Sequence, residues 1–118
     1  MIRHEIIIKN LPKVSLNKWY AGAHWTVRNN IKNTYKLMLN KYKPFSKSGA
    51  YDVEVNFEFK TRPLDASNCA AMYKLIEDCL FEDDAYSIVL SVKLSSKKGV
   101  ENKVVLIVTE NDERINKM

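Results

Sequence analysis

The sequence predicts an α+β domain in which a mixed β-sheet is covered by two main helices, in the order β-α-β-α-β-β. Three observations carry this. Residues 51–60 alternate apolar and polar without a break, the period of a strand with one face buried. Two longer stretches repeat their apolar residues at intervals of three and four, the period of a helix packed on one side. At 118 residues the chain can bury one core but not two, so residues 1–118 are expected to form a single domain. Three Gly and three Pro with 46% hydrophobic residues place it outside the disordered and collagenous classes.

Residues 2–9 (IRHEIIIK) are the first strand, centred on β-branched Ile6, Ile7 and Ile8 and limited by Pro12. From His24 to Lys43, Val27, Ile31, Tyr35, Met38 and Tyr42 stack on one helical face, and Pro44 stops the helix. By residue type alone Trp25 and Tyr35 are more often core, although the basic first half of the chain as a set favours DNA contact. The alternation then returns, with Tyr51, Val53, Val55, Phe57 and Phe59 facing inward. A second helix runs from Asn68 to Phe81, where Met72, Leu75, Ile76, Cys79 and Leu80 form the buried stripe and Ser67 or Asp65 supplies the cap. Residues 85–96 and 102–109 are the last strands, and the Lys97-Lys98-Gly99 turn between them predicts an antiparallel hairpin. Residues 110–118 are a polar tail.

The net charge of +5 conceals an asymmetry. Residues 1–50 hold ten Lys or Arg and one acid, Glu5, whereas residues 51–118 hold nine bases and thirteen acids. The basic half suits a polyanion such as nucleic acid. The acids concentrate in Asp65, Glu77, Asp78, Glu82, Asp83 and Asp84, around a single base, Lys74. No apolar run spans a bilayer and no secretory signal opens the chain, so a soluble, intracellular protein without membrane association is expected. Cys69 and Cys79 lie on one helix about 15 Å apart, too far for a disulfide, and read as free thiols.

On the second helix, Lys74 and Asp78 fall on one polar stripe, with Asp65 before the helix and Asp83-Asp84 after it. If the chain folds back, these carboxylates converge beside Lys74, an arrangement that suits Mg²⁺ or Mn²⁺ and phosphodiester chemistry. The plainer alternative is a solvated Lys-Asp pair, a capping Asp65 and a polar turn. Arg28, Lys32 and Lys36 step by four along the first helix, and Lys18 interleaves with Trp19 and Tyr20, a pattern common on nucleic-acid surfaces. His4 and His24 lack ligand spacing and carry no catalytic assignment.

The string TRPLDASNCAAMYKLIEDCLFEDDAYSIV resembles the signature region of the RusA family of Holliday-junction resolvases, common in phages and prophages. Asp65 and Asn68 match its Asp-x-(Asp or Ser)-Asn element, Lys74 and Asp78 its helical Lys-x-x-x-Asp, and Asp83-Asp84 its acidic pair. The stretch LPKVSLNKWYAGAHWTVRNNIKNTYK is similar to the family's opening, so the resemblance covers most of residues 4–109. It implies a RusA-like fold and a homodimeric, cytoplasmic endonuclease cutting four-way junctions or other branched DNA with Mg²⁺ or Mn²⁺, in a bacterial cell or phage-infected host. Carried onto this chain, Asp65, Lys74 and Asp84 are catalytic, and Asp65, Asp78, Asp83 and Asp84 are the metal-binding acids. The implied DNA contacts are Asn17, Lys18, Arg28, Lys32, Lys36 and Asn68. There are two departures: Ser67 replaces the second acid of the first element, and Lys74 lies three residues further from Asn68 than in the best-known members. A catalytically degenerate DNA-binding relative is the alternative that Ser67 leaves open.

Overall fold

Strand β2 (Tyr51–Phe59) organises the molecule because its alternation buries Tyr51, Val53, Val55, Phe57 and Phe59 on one face. The computed structural model describes residues 2–21 and 24–111, apart from the side chains at 18, 20 and 21. Before β2 come β1 (Arg3–Lys9), a short helix α1 (Leu16–Ala21) and α2 (Trp25–Leu39). After it come a 3-10 turn (Ala66–Cys69), helix α3 (Ala70–Leu80), and strands β3 (Val89–Lys98) and β4 (Lys103–Glu110).

The result is an α+β domain with a four-stranded mixed sheet in the order β1-β4-β2-β3, joined by two main helices. Strands β1 and β2 flank β4 antiparallel, while β3 runs parallel to β2 after the α3 crossover. In-register Ile6, Leu106, Val55 and Leu94 form one inward row, with Leu106 and Val55 fully buried. Against this face lie Tyr35 and Leu39 of α2 and Met72, Ile76 and Leu80 of α3. The Tyr35 hydroxyl donates to the Pro12 carbonyl at 2.6 Å, tying α2 to the segment that leaves β1.

The expected hairpin between the last two strands does not form. Gly99 N–H donates to Phe59 O at 2.9 Å, so the turn closes on the end of β2. Asn102 then accepts from the Lys60 N–H through its side chain and from the Asn10 N–H through its carbonyl. These contacts carry the chain across β2 and deliver β4 to its far side. The composition of the strands explains the choice: Val104 to Val108 is an unbroken apolar run suited to a central strand, whereas β3 is rich in Ser and Lys and suits an edge.

Several boundaries differ from the sequence reading: β3 begins at Val89 and not at residue 85, because a turn in which Ile88 N–H donates to Ala85 O precedes it, and α3 spans Ala70–Leu80 behind a 3-10 turn. Helix α2 ends at Leu39, short of Lys43, and closes in a turn in which Tyr42 N–H donates to Leu39 O. Helix α1 has six residues, too few to register as a helical period. Trp25 also departs from expectation: it is 68% exposed, whereas Tyr35 is wholly buried. Of the tail, β4 extends to Glu110, Asn111 donates its backbone N–H to Ala50 O, and residues 112–118 lie outside the described residues.

Candidate functional site

Helix α3 presents two faces. Its apolar stripe enters the core, and Lys74 emerges on the other side. The Lys74 ammonium donates to Glu77 Oε1 at 2.9 Å and to Asp84 Oδ2. Glu77 stands three residues along the same helix and is buried, so Lys74 is the cation beside a carboxylate largely withdrawn from water. The Tyr73 hydroxyl is buried nearby without a partner of hydrogen-bonding geometry. Its ionisation is pushed up by burial first and then by the neighbouring Glu77 carboxylate.

Asp84 reaches Lys74 because the exit from α3 is pinned. Phe45 and Phe81 form a parallel β-bridge, with Phe45 N–H donating to Leu80 O and Glu82 N–H to Phe45 O. The Glu82 carboxylate accepts the Lys47 N–H at 2.9 Å, and Asp83 Oδ1 accepts the Ala85 N–H at 3.2 Å. Two of the three consecutive acids are thus engaged in shaping the turn. The third, Asp84, faces back to Lys74.

This convergence is the fold-back anticipated for the acidic segment, with a different membership. Asp84 and Lys74 meet, and the second carboxylate is Glu77, which the sequence reading placed in the acidic cluster without a role. Asp78 is exposed on the same side as Lys74 but forms no ion pair with it. It borders a cleft of about 360 Å³ whose walls include Trp19, Lys32 and Lys74. Asp65 opens the 3-10 turn ahead of α3; its backbone carbonyl accepts from Asn68 and Cys69, and its carboxylate makes no capping hydrogen bond. Ser67 is exposed beside it, and its carbonyl accepts from Ala70 N–H.

Among the described residues, no group of three or more His, Cys, Asp and Glu side chains is gathered around one point. Two carboxylates, Glu77 and Asp84, do converge on one cationic position, which the Lys74 ammonium takes. Of these, Asp84 is the carboxylate that can exchange the ammonium for an ion, and Mg²⁺ is commonly held by one or two carboxylates and completed by water and substrate phosphate. The pair does not make an all-protein cage.

Hydrogen bonds to Asp84 and then to Glu77 hold the Lys74 ammonium charged well above its ordinary range. The bond from Lys74 and its charge in turn hold the Asp84 carboxyl below the usual carboxylate range. The pair's contribution to stability is therefore complete above the ordinary Asp value of 3.8 and lost as pH falls through the lowered one. On the basic side it is complete below the ordinary Lys value of 10.5 and lost as pH rises through the raised one. Thermal melts of wild type and Lys74→Met should differ by a constant amount between about pH 5 and pH 9, with the gap narrowing below about pH 4. A gap that changes across neutrality would contradict this assignment. Because Lys74 is half exposed, its bond to Asp84 contributes about 1 kcal/mol or less.

The candidate DNA contacts divide. Lys32 and Lys36 are exposed on α2, and Asn17 is exposed on α1. Arg28 lies 5.7 Å from the Trp19 ring, half buried, with its Nε lacking a partner. Asn68 is half buried in the 3-10 turn, and the Lys18 side chain lies outside the described residues. Cys69 is buried in the core, and burial pushes its thiol up. No helix among the described residues is long and apolar enough to cross a membrane.

No protein-family model matches this chain, and no curated protein matches it.

Proposed function

We propose that this chain is a RusA-like, divalent-metal-dependent endonuclease that cuts branched DNA. The observation that carries the reading is Lys74, held by the buried Glu77 against Asp84 at the edge of a cleft that Lys32 of α2 also lines. A cation placed beside acids and next to a basic helix is what a phosphodiester requires. The string from Thr61 to Val89 adds the family resemblance.

In this mechanism Lys74 exchanges its bond to Asp84 for one to a phosphate oxygen, while Glu77 keeps the ammonium in place as charge develops. Asp84 and Asp65 would hold the ion, with Asp83 and Asp78 as supporting acids. Bound Mg²⁺ or Mn²⁺ would supply Lewis-acid polarisation of the phosphate and lower the pKa of the attacking water. Lys32, Lys36, Arg28, Lys18, Asn17 and Asn68 would bind the strand. A symmetric two-strand cut needs two such sites, which a homodimer supplies. The reaction belongs in the cytoplasm of a bacterial cell or a phage-infected host.

Incubation with labelled four-way junctions and Mg²⁺ or Mn²⁺ tests this directly. Nicking is expected in either ion and none in EDTA; no nicking in any ion refutes the reading. One observation favours a second reading, a DNA-binding relative that has lost catalysis: Ser67 stands where the family often has an acid. Calorimetry decides between them. Junction affinity that falls steeply with salt, without Mn²⁺ binding, selects the second.

A further inference from the structure

Trp25 is 68% exposed at the start of a helix whose buried face is fully supplied by other residues. Its ring lies 5.8 Å from that of His24, tilted by 34°, and the His24 Nδ1 accepts the Thr26 N–H. The indole thus has the imidazole as a neighbour and is otherwise largely open to solvent. At the helical period, Trp25, Asn29, Lys32 and Lys36 are spaced by four, three and four and fall in one stripe along the flank of α2. Lys32 and Lys36 on this stripe line two clefts shared with Asp78 of α3, so the stripe runs beside the site described above. An exposed indole in line with two lysines combines a π-face with phosphate-binding charge, the pairing by which proteins hold unpaired nucleic acid strands.

We propose that Trp25 is a stacking platform for an unpaired base, with the phosphates of the same strand running along Lys32 and Lys36. The stripe covers about 16 Å along the helix, enough for a few nucleotides. The occupant is a single-stranded segment, such as the unpaired bases at a branch point or flap, and not the continuous duplex of an arm. This rests on the nuclease reading and narrows it, because it names the part of the substrate that α2 selects.

The probe is a labelled oligothymidylate, titrated in EDTA at low salt and read by fluorescence anisotropy, with a blunt duplex of equal length as comparison. Trp25→Ala should weaken oligothymidylate binding about tenfold to a hundredfold, Trp25→Phe should restore most of it, and duplex affinity should change less than twofold. Leu37→Ala, which removes a residue 72% exposed on another side of α2, should leave binding unchanged. In the Trp19→Phe background, the remaining Trp25 emission should be quenched as the oligomer binds. The proposal is overturned if Trp25→Ala lowers oligothymidylate affinity less than twofold, if it weakens duplex equally, or if the protein binds no oligothymidylate. Junction nicking in Mg²⁺ separates these failures from failure of the nuclease reading: nicking that survives Trp25→Ala without any stacking signal retains the enzyme and rejects the platform.

Discussion

Replacing Asp84 by Asn should reduce junction nicking about a hundredfold to a thousandfold, and Lys74→Met should match it. The similar size follows because each variant removes one charge of the resting pair that the reaction uses, on the ion side for Asp84 and on the phosphate side for Lys74. Their metal dependence should differ. Asp84→Asn removes a carboxylate that would hold the ion, so raising Mn²⁺ restores part of its activity. Lys74→Met removes the cation facing the phosphate, and added metal restores nothing. Nicking rates measured across an Mn²⁺ series separate the two, and wild-type rates in either variant would remove both residues from the mechanism. Glu77→Gln provides the third arm. It keeps the shape and a hydrogen-bond acceptor while removing the charge, so Lys74 stays near its position and activity should fall less than in Lys74→Met.

The contrast between Glu77 and Asp78 shows where sequence reading reaches and where it stops. Helical period correctly put Lys74 and Asp78 on the polar side of α3. It has no means of finding that Glu77 is covered, because burial of a polar helical residue depends on which distant parts of the folded chain lie against it. Glu82 and Asp83 read as members of one acidic run, yet their carboxylates accept backbone N–H groups of Lys47 and Ala85 and fix the turn. The Lys47 partner of Glu82 is brought in beside the Phe45–Phe81 bridge, between residues thirty-six apart in sequence and adjacent only after folding, whereas Asp83 closes a local turn. Trp25 is a similar case. Aromatic character predicts burial on average, and only the placement of Tyr35 and Leu39 in the core determines which side of α2 is left for Trp25.

Strand identity, by comparison, was largely written in local pattern. The periods of two and of three to four residues marked β1, α2, β2, α3, β3 and β4, with ends displaced by a few residues. Pairing was not local. The turn at Gly99 suggested neighbours in space because its strands are neighbours in sequence, but the apolar run from Val104 to Val108 carried the opposing signal of a strand paired on both sides. Weighing burial demand above loop length would have placed β4 between β1 and β2.

Truncating the centre of β4 should show that placement in solution. Leu106 is fully buried and in register with Ile6 on one side and Val55 on the other, so Leu106→Ala is expected to cost about 2–5 kcal/mol. Against a usual domain stability of about 5–15 kcal/mol, that is a large fraction, readable as a fall in the urea midpoint. The partner distinguishes the topologies. Val55 lies directly across the β2-β4 ladder, and a double-mutant cycle of Leu106→Ala with Val55→Ala should give a coupling of about 0.5–3 kcal/mol. Leu94 is separated from Leu106 by the whole of β2, about 9–10 Å away, so Leu94→Ala and Leu106→Ala should add within about 0.5 kcal/mol. A hairpin of β3 with β4 makes the opposite forecast, bringing Leu106 beside β3 and away from Val55. Coupling to Leu94 with additivity at Val55 would therefore reject the β1-β4-β2-β3 order. It would also disturb the segment that leads from Asp84 through the turn at 86–88 into β3, and so unseat the site built on Lys74.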